Sequence, residues 1–137
     1  MCLVRGVKVG GRYFSANMAH IIDQGRVRDI PNREETKKIV ACDIGGTSKK
    51  TKDVFSLIYF RPNHLTGRYE SIKYQELTGV SEDKIFSEIQ GTGYNIGQIF
   101  LPWDGDTGLK STKDSLKEMF PSAEVQCMDR MLSLIHI

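Results

Sequence analysis

Apolar residues along the chain gather into short runs of two kinds. Ile39–Ile44 (IVACDI) and Val54–Phe60 (VFSLIYF) are strand-length and apolar at consecutive positions, which predicts central strands buried on both faces. Tyr69–Leu77 (YESIKYQEL) alternates in part and predicts a third, half-exposed strand. Gly67 lies near the turn before it, so the second and third strands should pair antiparallel. Gln98–Trp103 (QIFLPW) predicts a fourth strand, with Pro102 near its end because proline cannot donate to a ladder. Glu124–Met128 (EVQCM) predicts a short fifth. The other runs have helical spacing. Ser15–Gln24 carries Met18, Ile21 and Ile22, with Ser15 as N-cap and Gly25 as stop. Ser81–Gln90 has Ser81 as cap, acids in its first turn and a stripe of Ile85, Phe86 and Ile89. Ser111–Phe120 is stopped by Pro121.

After the irregular lead-in, with its Pro31-Asn32 turn, the order is β-β-β-α-β-α-β. A meander followed by two helical crossovers places the later strands parallel to the first. The expected class is α/β, a mixed sheet with flanking helices, and such sheets bind ligands at the carboxyl ends of parallel strands.

Composition narrows the field. The 137 residues, 39% hydrophobic and 26% charged, make one globular domain. No apolar run approaches the roughly 20 residues of a membrane span. Met1-Cys-Leu-Val, followed at once by Arg5 and Lys8, does not read as a signal peptide. Cys2, Cys42 and Cys127 form no CxxC pair, which argues against a disulfide scaffold or thiolate zinc site and for a reducing compartment. The net charge of +2 implies no nucleic acid by itself, but it is unevenly spread. Residues 1–38 hold eight Lys/Arg against four Asp/Glu, and residues 100–137 hold four against six. That is either ordinary solvated surface or a basic approach to an acidic, metal-binding centre.

Asp43 interrupts an apolar run, where an unpaired buried carboxylate would be costly. It either caps the Gly45-Gly46 turn or binds something positive. Asp104 also ends an apolar strand and precedes a glycine. Two strand-end acids on one sheet edge repel unless a cation lies between them. Oxygen ligands without Cys or His nearby indicate Mg²⁺ or Mn²⁺, the ions of two-metal phosphodiester hydrolysis. Asp53 and Asp106 are weaker acidic neighbours that read as loop residues. Gly45-Gly46-Thr47-Ser48 has the make-up of a phosphate cradle. The string DIGGT resembles the phosphate loop of actin-like sugar kinases, although the other motifs of those two-domain enzymes are absent. His20, His64 and His136 are isolated. Trp103 and Tyr94 are sized to stack on a base, with core or rim packing as the plainer reading.

Several strings together resemble one family, the C-terminal nuclease domain of the tailed-bacteriophage terminase large subunit, the DNA-packaging motor. Gly11-Arg-Tyr-Phe14 resembles the Gly-x-Tyr-Tyr at the hand-over from the ATPase domain. Gly25-Arg-Val-Arg-Asp-Ile-Pro31 resembles the segment before the first nuclease strand. Asp43-Ile-Gly45 resembles Asp-Leu-Gly, with Asp53 near the place of a following Asp-x-Thr/Ser. Phe100-Leu-Pro-Trp-Asp104 resembles Tyr-Leu-Pro-His-Asp, and Thr107-Gly-Leu-Lys-Ser111 resembles the Thr-Gly-Lys-Ser before a helix. The match runs in order along residues 11–131. It departs at the longer, more basic link Thr47–Lys52, at Trp103 in place of His and at the additional Leu109.

The resemblance implies a ribonuclease H-like fold and cleavage of concatemeric double-stranded DNA with two Mg²⁺ or Mn²⁺ ions. Asp43 and Asp104 would be ligands, Asp53 an accessory acid, and Lys49, Lys50 and Lys52 phosphate contacts. It implies a portal and a small terminase subunit as partners of the full-length protein, and the host cytoplasm during virion assembly as its place of action. The expected organisation is a lead-in at 1–38, a nuclease domain at 39–131 that is C-terminally incomplete, and a tail at 132–137. A third family carboxylate falls beyond Met131, so the chain alone should cleave weakly or not at all. Leu132-Ser-Leu-Ile-His-Ile137 resembles the translation of a transposon-end adapter used in sequencing libraries, so the tail is expected to be read-through. The competing readings are an actin-like phosphotransferase fragment and a catalytically inactive DNA-binding assembly module.

Overall fold

The computed structural model describes residues 14–43, 54–106 and 111–129, excluding the side chains of Asp104 and Asp106. The chain divides into two units, Met1–Asn32 and Arg33–Ile137. In the first, Ser15–Asp23 forms helix α1, with Phe14 rather than Ser15 at the N-cap. None of its nine residues is buried.

The second unit is built on a five-stranded sheet: β1 (Lys38–Asp43), β2 (Val54–Asn63), β3 (Arg68–Thr78), β4 (Ile96–Leu101) and β5 (Glu124–Cys127). The spatial order is β3-β2-β1-β4-β5. β1–β2 and β2–β3 pair antiparallel, while β1–β4 and β4–β5 pair parallel. Helices α2 (Glu82–Gly91) and α3 (Thr112–Met119) are the two crossovers. This mixed sheet with flanking helices is the α/β arrangement expected from the strand pattern. Among the described residues, no helix is long and apolar enough to cross a membrane.

Local chemistry sets the turns. Asn63 Oδ1 accepts from the amides of Leu65 (3.0 Å) and Thr66 (3.3 Å) and folds the β2–β3 loop. Gly67 closes it at φ +66°, a conformation that disfavours any side chain. Pro62 lies inside β2, but the β1 ladder ends at Phe60, so its missing N–H costs no bond on that side. Ser111 caps α3 by accepting from the Asp114 amide at 3.1 Å. Ser81 occupies the N-cap of α2 but makes no such bond.

Burial corrects one expectation. β1 and β2 are covered on a single face. Val40, Cys42, Phe55, Leu57 and Tyr59 point into the core with Ile99, Leu101 and Val125. Ile85, Phe86 and Ile89 of α2 and Leu116 of α3 close it from one side. Ile39, Ala41, Ile58 and Phe60 point the other way and remain partly exposed. Their consecutive apolar runs reflect two apolar faces, of which described helices cover one.

β1 also begins one residue earlier than its apolar run, on Lys38, which is fully buried. Its Nζ donates to the Arg33 carbonyl and lies 5.9 Å from the Tyr94 ring centroid. Desolvation lowers its pKa. Tyr94 meets Tyr59 edge-on at 5.6 Å, so it packs at the core. The Tyr59 hydroxyl donates to Gln75 Oε1 at 2.8 Å, which satisfies a buried phenol.

Cys42 and Cys127 form no disulfide, and burial pushes the Cys42 thiol from 9.0 up to about 12. At pH 8 Cys42 is therefore held as the thiol far more completely than an ordinary cysteine. Iodoacetamide labelling followed by peptide mass spectrometry should find Cys42 protected in the native chain and alkylated in urea. The folded state holds this proton more tightly than the unfolded chain, so its stabilising contribution is lost as pH rises from about 9 to about 12. Tyr59, also raised mainly by desolvation, acts in the same direction, whereas Lys38 opposes it.

Candidate functional site

The carboxyl ends of β1 and β4 lie side by side. The parallel register runs to the pair Ala41–Phe100, two residues before Asp43 on one strand and two before Pro102 on the other, and Asp43 and Pro102 line one groove. β4 then enters a single 3-10 turn, Trp103–Asp106, which carries Asp104. The Gly105 amide closes this turn on the Pro102 carbonyl at 3.0 Å. A Cβ at Gly105 would stand 2.9 Å from Leu101 Cβ, so the turn folds back too tightly for a side chain there. Topology therefore brings the two predicted acids, Asp43 and Asp104, to one sheet edge at backbone level.

Asp43 is the last residue of β1 and is exposed. Its neighbours come from register. It pairs with Ser56, and Ser56 pairs with Glu76, so the three side chains share one face in a row across β1, β2 and β3. Tyr74, one row inward, donates from its hydroxyl to Glu76 Oε1. That bond raises the phenol's pKa, and the nearby Asp43 charge adds to the rise.

This row supplies hard oxygen donors of the kind that suit Mg²⁺ or Mn²⁺. Among the described residues, however, no three Asp, Glu, His or Cys side chains gather closely enough to hold an ion. Asp43 and its row fit as part of a coordination shell, not as a complete one.

Other predicted residues fall elsewhere. Asp53, Lys49, Lys50, Lys52, Gly45–Ser48 and His136 lie outside the described residues. His20 is exposed on α1, and His64 is exposed in the β2–β3 loop. Trp103 opens the 3-10 turn at 52% exposure. Glu76, Ser56 and Tyr74 were not singled out by sequence reasoning. The available signal was the alternation of β3, but it places Glu76 beside Asp43 only once the register with β2 is known.

No protein-family model matches the chain, and no curated protein matches it significantly. A search of solved structures finds the P22 large terminase nuclease domain as a similar fold. The TM-score is 0.48 and the identity 13%, over 75% of this chain and 50% of that one. The chain thus spans half the length of that solved domain.

Proposed function

We propose that the chain is part of a metal-dependent DNA endonuclease of the terminase type. The observation that carries this reading is the parallel β1–β4 pairing, which brings Asp43 and the Asp104-bearing turn to one sheet edge. The ordered terminase-like strings around both acids supply the substrate class, double-stranded DNA. Asp43 and Asp104 would hold the Mg²⁺ or Mn²⁺, with Asp53 as an accessory acid. When bound, the ions supply an activated water and stabilise the leaving oxygen of the phosphodiester. The chain's own acids fix where the cations sit and so where the scissile phosphate must lie. Lys49, Lys50 and Lys52 would contact neighbouring phosphates and set register without reading sequence. Packaging of concatemeric DNA, with a portal and small subunit as partners in the host cytoplasm, belongs to the same proposal. So does the division into a lead-in at 1–38, a nuclease portion at 39–131 and an adapter-derived tail.

Supercoiled plasmid incubated with the chain and Mn²⁺ tests the reading. Slow nicking that stops in EDTA and falls at least about 100-fold in Asp43→Asn is the expected result. Cleavage unchanged by that substitution removes Asp43 from the chemistry. Metal-indifferent DNA retention without nicking supports an inactive assembly module instead. Protection against unfolding by ATP would point to the phosphotransferase reading.

A further inference from the structure

The 3-10 turn after β4 buries its smallest residue and exposes its largest. Leu101, two residues before the turn, is 1% exposed, and Gly105 is buried against it. Trp103 is 52% exposed. An indole is among the largest apolar surfaces a residue can bury, so leaving half of it in water forgoes folding energy. The turn is nevertheless held. The Gly105 amide closes it on the Pro102 carbonyl, and just before it the Leu101 carbonyl accepts from the Met128 amide at 2.8 Å. The backbone that carries the ring is thus pinned to the chain leaving β5.

The ring also stands at the candidate site. Trp103 lies between Pro102, which lines one groove with Asp43, and Asp104. Asp104 and Asp106 belong to the same turn. Acids at this edge repel phosphates, so DNA meets it through cations or through uncharged contacts. The indole is such a contact, a flat π-face with one N–H donor. We infer that Trp103 stacks on an unpaired base of the DNA held at this edge, so that the site selects duplex whose strands are locally parted. The inference rests on the nuclease reading and deepens it. In an intact duplex every base is stacked on its neighbours and offers only its edges to the grooves. A ring on a pinned turn reaches a π-face only where a base is already unstacked, as at a gap or a frayed end. Stacking is tolerant of sequence, because every base has a π-face.

Trp103 is the chain's single tryptophan, so indole emission reports on this residue alone. The test titrates the full chain, in Ca²⁺ to hold cleavage back, with a duplex and with the same duplex carrying a short single-stranded gap. Anisotropy of a label on the DNA measures binding independently of the indole. The gapped duplex should bind at least about fivefold more tightly than the intact one and should quench the indole as it saturates. Trp103→Ala should lose this preference, and Trp103→Phe should keep most of it. In Trp103→Ala the slope of affinity against salt should stay unchanged, since stacking releases no counterions. Its circular dichroism should match the parent's, because the ring is half exposed. Bound DNA with unmoved indole emission, equal binding of the two DNAs, or a gap preference that survives Trp103→Ala overturns the inference and leaves the nuclease reading standing. Absence of any DNA binding overturns both.

Discussion

Leu57→Ala should destabilise the chain by about 2–5 kcal/mol, enough to remove much of the stability of a domain this size. Leu57 is fully buried on β2, between Phe55 and Tyr59 on the covered face. Its strand is held on both sides, by β1 through Cys42 and by β3 through Gln75. The ladders prevent the backbone from collapsing into the space left by the side chain, so the cavity persists and its cost adds to the lost transfer energy. Ile58→Ala, one residue along but on the open face, should cost much less because Ile58 remains partly exposed. Urea unfolding of both variants reads the difference directly. Equal losses would mean that the open face is as well packed as the closed one.

The second large effect concerns DNA. Replacing Lys49, Lys50 and Lys52 together with alanine should flatten the salt dependence of duplex binding. Each phosphate contact contributes about 0.9 to the slope of log K against log salt, so three contacts contribute about 2.7. Over a tenfold change in salt that is about 500-fold in affinity. Fluorescence anisotropy of a labelled duplex at several salt concentrations measures it. A slope unchanged in the triple variant would place these lysines away from the phosphates.

Much of the fold was legible because its signals are local. The apolar runs at Val54–Phe60 and Gln98–Leu101, the helical stripe Ile85-Phe86-Ile89 and the punctuation at Gly67 and Pro121 each predict their element without reference to the rest. The face left open was not legible, because an apolar position looks the same whether or not a helix covers it. Lys38 was missed for a related reason. A lysine before an apolar run reads as solvated, and its burial depends on the Arg33 carbonyl and the Tyr94 ring, which only folding brings to it. At the candidate site, Asp43 was visible as a carboxylate within an apolar run. Its row neighbours Ser56 and Glu76 were not, because strand register is a long-range property.

On the proposed function, Asp43 and Asp104 share a divalent cation at the carboxyl ends of β1 and β4. Thermal unfolding with and without Mn²⁺, on the chain and on its Asp43→Asn/Asp104→Asn variant, tests it most directly. A cation that binds only the folded state stabilises it by about 2.7 kcal/mol at a hundredfold excess over its dissociation constant. For a domain of this size, each kcal/mol raises the melting temperature by about 4 °C or more. The account predicts a rise of about 10 °C in the parent chain and none in the double variant. An equal rise in both, or none in either, would contradict it.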